Sequence, residues 1–125
     1  MMESSDIMQL GLSDVNHEVI RALERDGYFG EMKDAYRFAI ALAIAKQAVP
    51  ESVTNRTNMY GRASIDEDGT LRSVIRVLYP DSPEPYRTME MLANWGVSEL
   101  NRRRSAGPLN LLALLAEVED SPDER

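Results

Sequence analysis

Eight consecutive apolar residues occupy positions 38–45 of the chain: Phe38-Ala39-Ile40-Ala41-Leu42-Ala43-Ile44-Ala45. Arg37 and Lys46 border the run, and both residue types are compatible with a helix. A helix that is apolar on every side must be covered on every side. We therefore predict a central helix over residues 31–48 that is wrapped by other helices, by a second subunit, or by both.

The composition favours one domain of an intracellular protein. A chain of 125 residues is long enough to bury a core of its own. It contains no Cys, which excludes disulfides, thiolate metal sites and thiol nucleophiles and fits the reducing cytoplasm. The apolar run is far shorter than the ~20 residues that cross a bilayer, and the N-terminus lacks the basic residues of a signal peptide. We expect a cytoplasmic protein without a membrane segment.

Capping residues and breakers divide the chain into a mainly α domain of about five helices, spanning residues 1–125. Residues 7–12 alternate as a short strand does, and Ser13 is a good N-cap for a helix that ends at Gly27. Further helices are predicted over residues 69–79, 85–104 and 109–118. Residues 50–68 form an irregular loop in this prediction, which either contains a strand that the sequence does not place or is a functional or mobile loop. The polar ends, residues 1–6 and 119–125, are flexible.

No arrangement of residues in the sequence indicates catalysis. His17 is the one histidine, and a zinc-protease helix would need a second histidine where Arg21 stands. Asp66-Glu67-Asp68-Gly69 resembles the start of a calcium loop, but the twelfth position is Val77 rather than an acid. We predict a protein that is not an enzyme, with no catalytic residue, metal site or cofactor.

Basic residues are concentrated away from the acidic ends of the chain. The net charge is −7, which argues against a large sequence-independent attraction to nucleic acid. A basic face is nevertheless conceivable, and the alternative is an ordinary solvated surface with cations at a helix C-terminus. The candidate residues for this face are Arg37, Lys46, Arg56, Arg62, Arg102, Arg103 and Arg104.

Apolar residues on two of the predicted helices are candidates for an interface. A central helix left open on one side would expose an apolar patch that soluble monomers rarely carry, which predicts a homodimer. Met and aromatic residues are also favoured at interfaces, although ordinary core packing would use the same residues. The candidates are Phe38, Ile40, Leu42, Ile44, Met89, Met91 and Trp95.

The strand–helix–glycine–helix order of residues 7–48, with Lys33-Asp34-Ala35-Tyr36-Arg37 opening the second helix, resembles the ribbon-helix-helix fold. This resemblance implies that two chains pair their N-terminal strands. It also implies that Ile7, Gln9 and Gly11 face DNA, with residues 30–32 near a phosphate. The chain departs from that pattern because its strand has no Lys or Arg and because nearby acids would repel the DNA backbone.

A longer resemblance concerns small accessory proteins encoded with bacterial DNA-phosphorothioation (Dnd) systems. The residues that carry it are Tyr28-Phe29-Gly30-Glu31-Met32-Lys33-Asp34-Ala35-Tyr36-Arg37-Phe38-Ala39-Ile40-Ala41-Leu42 and Ala93-Asn94-Trp95-Gly96-Val97-Ser98-Glu99-Leu100. The resemblance implies an accessory role in DNA modification or anti-phage defence. We predict a non-catalytic adaptor that acts through a protein partner; the alternative is a ribbon-helix-helix-like DNA-binding protein or transcriptional repressor.

Overall fold

Helices make up most of the molecule in a computed structural model, which describes residues 6–119. The prediction of a single, mainly α domain with a short N-terminal strand is confirmed. The elements in this part of the chain are β1 (Gln9–Ser13), α1 (Asp14–Arg25), α2 (Met32–Ala45), β2 (Arg56–Gly61), α3 (Arg62–Ile65), α4 (Thr70–Leu78), α5 (Pro85–Ala106) and α6 (Leu111–Glu119).

Local signals set most of the helix ends. The Ser13 hydroxyl accepts a hydrogen bond from the Asn16 amide at 3.2 Å and caps α1, and Pro85 opens α5. Gly27 has a φ of 83°, as a residue after a helix often does. The central helix ends three residues before the predicted position 48, because Gln47 adopts a left-handed conformation with φ of 56°.

The apolar run lies in α2, and α2 is the central helix of the domain. It packs against α5 most extensively and also against α1 and α6. Tyr36, Ile40 and Leu42 have no exposed surface. At the crossing of α2 and α5, Gly96 lets the two backbones approach so closely that a Cβ at this position would lie 2.1 Å from the Ala39 carbonyl oxygen. The chain thus covers α2 by itself.

Residues 50–68 contain regular structure, which corrects the prediction of an irregular loop. Arg56–Gly61 forms β2, which pairs antiparallel with β1, and the short helix α3 follows at once. The register shifts between Leu10 and Gly11, so that Met59 has no partner of its own in β1. Most of β2 is exposed or half-exposed, and it therefore lacks the apolar alternation that would identify a strand.

The two edges of β1 are both occupied within the chain. One edge pairs with β2, whereas ribbon-helix-helix proteins pair it with a second chain. On the other edge, the amides of Gly11 and Ser13 donate to side chains of α5, and the Gly11 carbonyl accepts from the Tyr36 hydroxyl. Gly11 is buried and cannot face DNA. The intermolecular ribbon implied by the resemblance therefore has no free strand edge here.

Asp6 anchors the N-terminal segment of the chain to the start of α5. The Asp6 carboxylate accepts hydrogen bonds from the amides of Tyr86 and Arg87 at 2.8 and 2.9 Å, which satisfies the N-terminus of α5. Glu119, which the sequence places in a flexible end, is the last residue of α6. The rest of the two ends predicted to be flexible, residues 1–5 and 120–125, lies outside the described residues. None of the helices found between residues 6 and 119 combines the length and the apolar character that a bilayer-spanning segment needs.

Candidate functional site

One side of α5 carries a row of polar side chains that holds β1 in place. Glu90, Asn94 and Ser98 follow one another at four-residue spacing and share that side of the helix. Glu90 is 2% exposed, and its carboxylate accepts a hydrogen bond from the Gly11 amide at 2.9 Å. The Asn94 side-chain oxygen accepts from the Ser13 amide at 3.0 Å. The row thus bonds to the backbone edge that β2 leaves open.

Arg56 neutralises the buried carboxylate of Glu90. Arg56 Nε lies 2.9 Å from Glu90 Oε2 and Arg56 Nη2 lies 2.8 Å from Oε1, which makes the pair bidentate. This hydrogen bonding raises the pKa of Arg56. Tyr36 donates its hydroxyl to the Gly11 carbonyl at 3.1 Å, and burial raises the pKa of Tyr36 well above its ordinary value. The buried Glu90 and Tyr36 side chains are thus both bonded within the molecule and serve the fold.

Asn16 connects the polar row to α1. Its side-chain nitrogen donates to the Asn94 side-chain oxygen at 3.1 Å and to the Asn94 carbonyl at 3.2 Å. The Ser98 hydroxyl donates to the Asn16 side-chain oxygen at 3.3 Å, and the Asn94 side-chain nitrogen donates to the Glu90 carbonyl at 2.9 Å. The hydrogen-bonding capacity of these side chains is therefore largely used inside the molecule.

An open groove runs along the outer side of α5 and past the C-terminal ends of α2 and α4. It consists of three adjoining depressions of about 300, 300 and 420 Å³. Leu78 and Tyr79 line both the second and the third depression. Met91 lines both the first and the third. We call this surface the α5 groove and define it by its main apolar residues, which are Ile44, Val49, Leu78, Tyr79, Met91 and Trp95.

The α5 groove has mixed walls, in which exposed aliphatic side chains lie beside polar residues, and two of these polar residues bond to each other. Val49 is 73% exposed and Leu78 40% exposed, although both are aliphatic. The floor contains Asn16 and Asn94, whose side chains bond to each other. An apolar protein segment bound there would cover this exposed aliphatic surface.

The structure divides the predicted apolar interface into two sets. Ile44, Met91 and Trp95 line the α5 groove and are available to a partner. The prediction is wrong for Ile40, Leu42 and Met89, because they have no exposed surface. Ile40, Leu42 and Met89 pack inside the domain, where neighbouring helices cover them. Phe38 stays a prediction, since it is half-buried and its ring lies 5.7 Å from that of Phe29, outside the groove.

The predicted basic face is not assembled, and three of its residues stabilise the region around β2. Arg37 donates to the carbonyls of Ser64 and Ile65 at 2.8 and 3.2 Å. Arg62 donates to a backbone carbonyl of the segment before β1 and lies 4.4 Å from the centre of the Tyr86 ring. Arg56 is committed to the buried Glu90, as described above. Each of the three guanidinium groups donates to an internal acceptor, although Arg62 Nε is buried without a hydrogen-bond partner.

The other four basic residues are in ion pairs near α6. Lys46 and Arg103 share Glu117 at 2.9 and 2.7 Å, and Arg103 also contacts Glu99 at 2.8 Å. Arg102 pairs with Glu99, and Arg104 lies 3.5 Å from Asp26. The guanidinium of Arg103 and the ammonium of Lys46 lower the pKa of Glu117 to about 2. Three carboxylates pair with these four cations, so most of their charge is neutralised within the chain.

Acid should weaken the attachment of α6 through Glu117. The folded pKa is about 2 and the ordinary value, which applies to the unfolded chain, is 4.5. The unfolded chain therefore binds the proton more readily, and stability that is fully present above pH 4.5 is lost as the pH falls towards 2. Glu117→Gln should flatten the dependence of Tm on pH in this interval, and Glu119→Gln should leave it unchanged. Equal slopes in all three proteins would contradict the assignment.

Acidic residues between α3 and α4 act as helix caps. The buried Asp66 carboxylate accepts from the amides of Leu71 and Arg72 at 2.9 and 3.1 Å and from the Tyr86 hydroxyl at 3.0 Å. Asp68 accepts from the Thr70 amide, which lowers the pKa of Asp68. Across residues 6–119, no three His, Asp or Glu side chains are grouped in a way that could hold a metal ion.

Sequence reasoning missed the polar row on α5. Glu90 and Asn94 follow Met89 and Ala93, which are buried, so both fall on the inward part of an otherwise apolar helix face. Charged side chains are rarely buried unless they are paired, so a Glu on the inward face of a helix predicts a buried ion pair. The identity of the partner, Arg56, could not be read from the sequence because β2 was not recognised.

The chain matches no protein-family model, no curated protein and no solved structure. The resemblances to Dnd-associated proteins and to the ribbon-helix-helix fold therefore stay predictions.

Proposed function

We propose that this protein is a non-catalytic adaptor that binds a protein partner through the α5 groove. The observation that carries the proposal is the continuity of the groove, in which aliphatic and aromatic side chains from three helices and the segment after α2 adjoin. Exposed apolar surface of this kind commonly marks a site of protein interaction. Asn16 and Asn94, which also line the groove, bond to each other and so serve the fold.

The proposed setting is bacterial DNA modification or anti-phage defence in the cytoplasm. The resemblance of residues 28–42 and 93–100 to Dnd-associated accessory proteins supports this setting. Trp95 belongs to the second of these segments and also lines the α5 groove. Direct DNA binding, the alternative function, gains no support from the geometry because the seven candidate cations are engaged within the chain.

A homodimer stays a prediction, which the exposed face of α6 supports and the central helix α2 does not. The central helix α2 needs no second subunit, because α1, α5 and α6 cover it. The remaining support is the outer face of α6, where Leu112 is 80% exposed and Leu115 is 44% exposed. A self-association surface on α6 would leave the α5 groove free for a different partner.

A matched pair of substitutions tests the adaptor proposal. Met91→Lys places a charge inside the α5 groove, whereas Met8→Lys makes the same change at an exposed residue, 68% accessible, that does not line it. Tagged wild type and both variants are recovered from the native cell after nuclease treatment and examined by mass spectrometry. We expect one stoichiometric partner with wild type and with Met8→Lys, and its loss with Met91→Lys. The proposal fails if the Met91 variant keeps the partner, or if all three baits come down alone.

A further inference from the structure

The charges around the α5 groove have one sign. Among the described residues that line it, Glu51 and Asp81 carry charge, and Lys and Arg are absent. Both acids are exposed, and neither is in an ion pair with another residue of the 6–119 segment. Their charge is therefore not neutralised from within, in contrast to the paired charges near α6. A partner with Lys or Arg beside its apolar residues would complement this rim.

The apolar part of the groove has the spacing of a helix surface. Met91 and Trp95 are four residues apart on α5 and so lie one above the other. Two such side chains form a ridge with grooves on either side, which is the surface that a second helix packs against. Trp supplies a large anchor and Met an adaptable one.

We infer that the α5 groove receives an amphipathic helical segment of the partner protein, with apolar residues along one face and Lys or Arg at its borders. This inference rests on the proposed adaptor function and specifies the chemistry of the partner. The apolar face covers Met91 and Trp95, and the basic residues approach Glu51 and Asp81.

A second copy of this chain does not have the required charge. Its own exposed apolar helix is α6, which carries no basic residue and ends at the exposed Glu119. Placing α6 of another molecule in the groove would bring acids next to Glu51 and Asp81, which is unfavourable. The charge pattern thus selects a different protein as the occupant.

Trp95 reports directly on the groove because it is the one tryptophan of the chain. The probes are two synthetic peptides of about 18 residues that share Leu at helical spacing and differ in having Lys or Glu at the other positions. We expect the Lys peptide to shift Trp95 emission to shorter wavelength and to saturate, and the Glu peptide to cause no shift. Added salt should weaken binding of the Lys peptide.

Charge-matched variants distinguish the effect of the two acids in the groove from the effect of the protein's net charge. Glu51→Lys combined with Asp81→Lys should lower the affinity for the Lys peptide by about tenfold or more. Glu24→Lys combined with Glu67→Lys changes net charge equally at exposed sites outside the groove and should alter affinity by about twofold at most. Equal losses in both double variants would overturn the inference, because net charge alone would then explain binding.

Other outcomes are equally decisive. Equal affinity for both peptides, or no response of Trp95 to the Lys peptide, overturns the basic-segment inference. A Trp95 shift that depends on protein concentration without peptide would identify a second copy as the occupant and overturn it as well. If Met91→Lys still abolishes partner capture in these cases, the adaptor proposal stands and the stated partner chemistry alone is wrong.

Discussion

Replacing Arg56 with Met is expected to lower the free energy of unfolding by about 3 kcal/mol, because it leaves a buried carboxylate without its counter-charge. Glu90 is 2% exposed and bonds in bidentate fashion to Arg56. Loss of the pair would also disturb the Gly11 amide, which donates to the same carboxylate. Urea unfolding followed by far-UV circular dichroism measures the change.

The control is the double variant in which Arg56→Met is combined with Glu90→Leu. Removing both charges abolishes the unpaired buried group, so the double variant should be more stable than Arg56→Met alone. The cycle formed with Glu90→Leu gives the coupling energy of the pair. If Arg56→Met unfolds at the wild-type urea concentration, the ion pair does not anchor β1 and β2 to α5.

Gly96→Ala is expected to destabilise the fold by about 3 kcal/mol, since the added methyl group has no room. The new Cβ would lie 2.1 Å from the Ala39 carbonyl oxygen and 2.6 Å from its carbonyl carbon. Both atoms are backbone, so α2 and α5 must separate to accept it. Ala is a better helix former than Gly by about 1 kcal/mol, and the clash exceeds that gain. Differential scanning calorimetry gives the change in Tm.

Gly61→Ala is the matched control for the α2–α5 crossing. Its Cβ would meet no atom within 4 Å, and Gly61 has a φ of −67°, which Ala adopts without strain. We expect its Tm to stay close to that of wild type. A Gly96 variant as stable as the Gly61 variant would mean that α2 and α5 are not packed as closely as described.

The helical part of the fold could be predicted because its signals are local. Ser13, Gly27 and Pro85 mark helix boundaries by their own backbone chemistry, and the apolar run identifies α2 as the most buried helix. The strand β2 could not be predicted in the same way. Its residues adopt a strand because β1 lies beside them, and that pairing joins parts of the chain more than 40 residues apart.

The candidate site was predicted in part. Ile44, Met91 and Trp95 do line a surface groove, but the same pattern included Ile40, Leu42 and Met89, which are buried. Helical periodicity identifies the apolar residues without showing which other helices cover them. For Arg56 and Arg103 the missing information was the position of distant partners, since Glu90 and Glu117 reach them only after the chain folds. The pairs of Glu99 with Arg102 and Arg103 lie within α5 at i,i+3 and i,i+4 spacing and could be predicted from the sequence.

The central claim is that the α5 groove is the surface that contacts a protein partner. Photo-cross-linking in the native cell tests it most directly, with p-benzoylphenylalanine placed at Val49 in the groove or at Val15 on α1. These residues are 73% and 69% exposed, so accessibility is matched. We expect a discrete cross-linked partner from position 49 and none from position 15. Cross-linking from position 15 alone, or equally from both, would contradict the account.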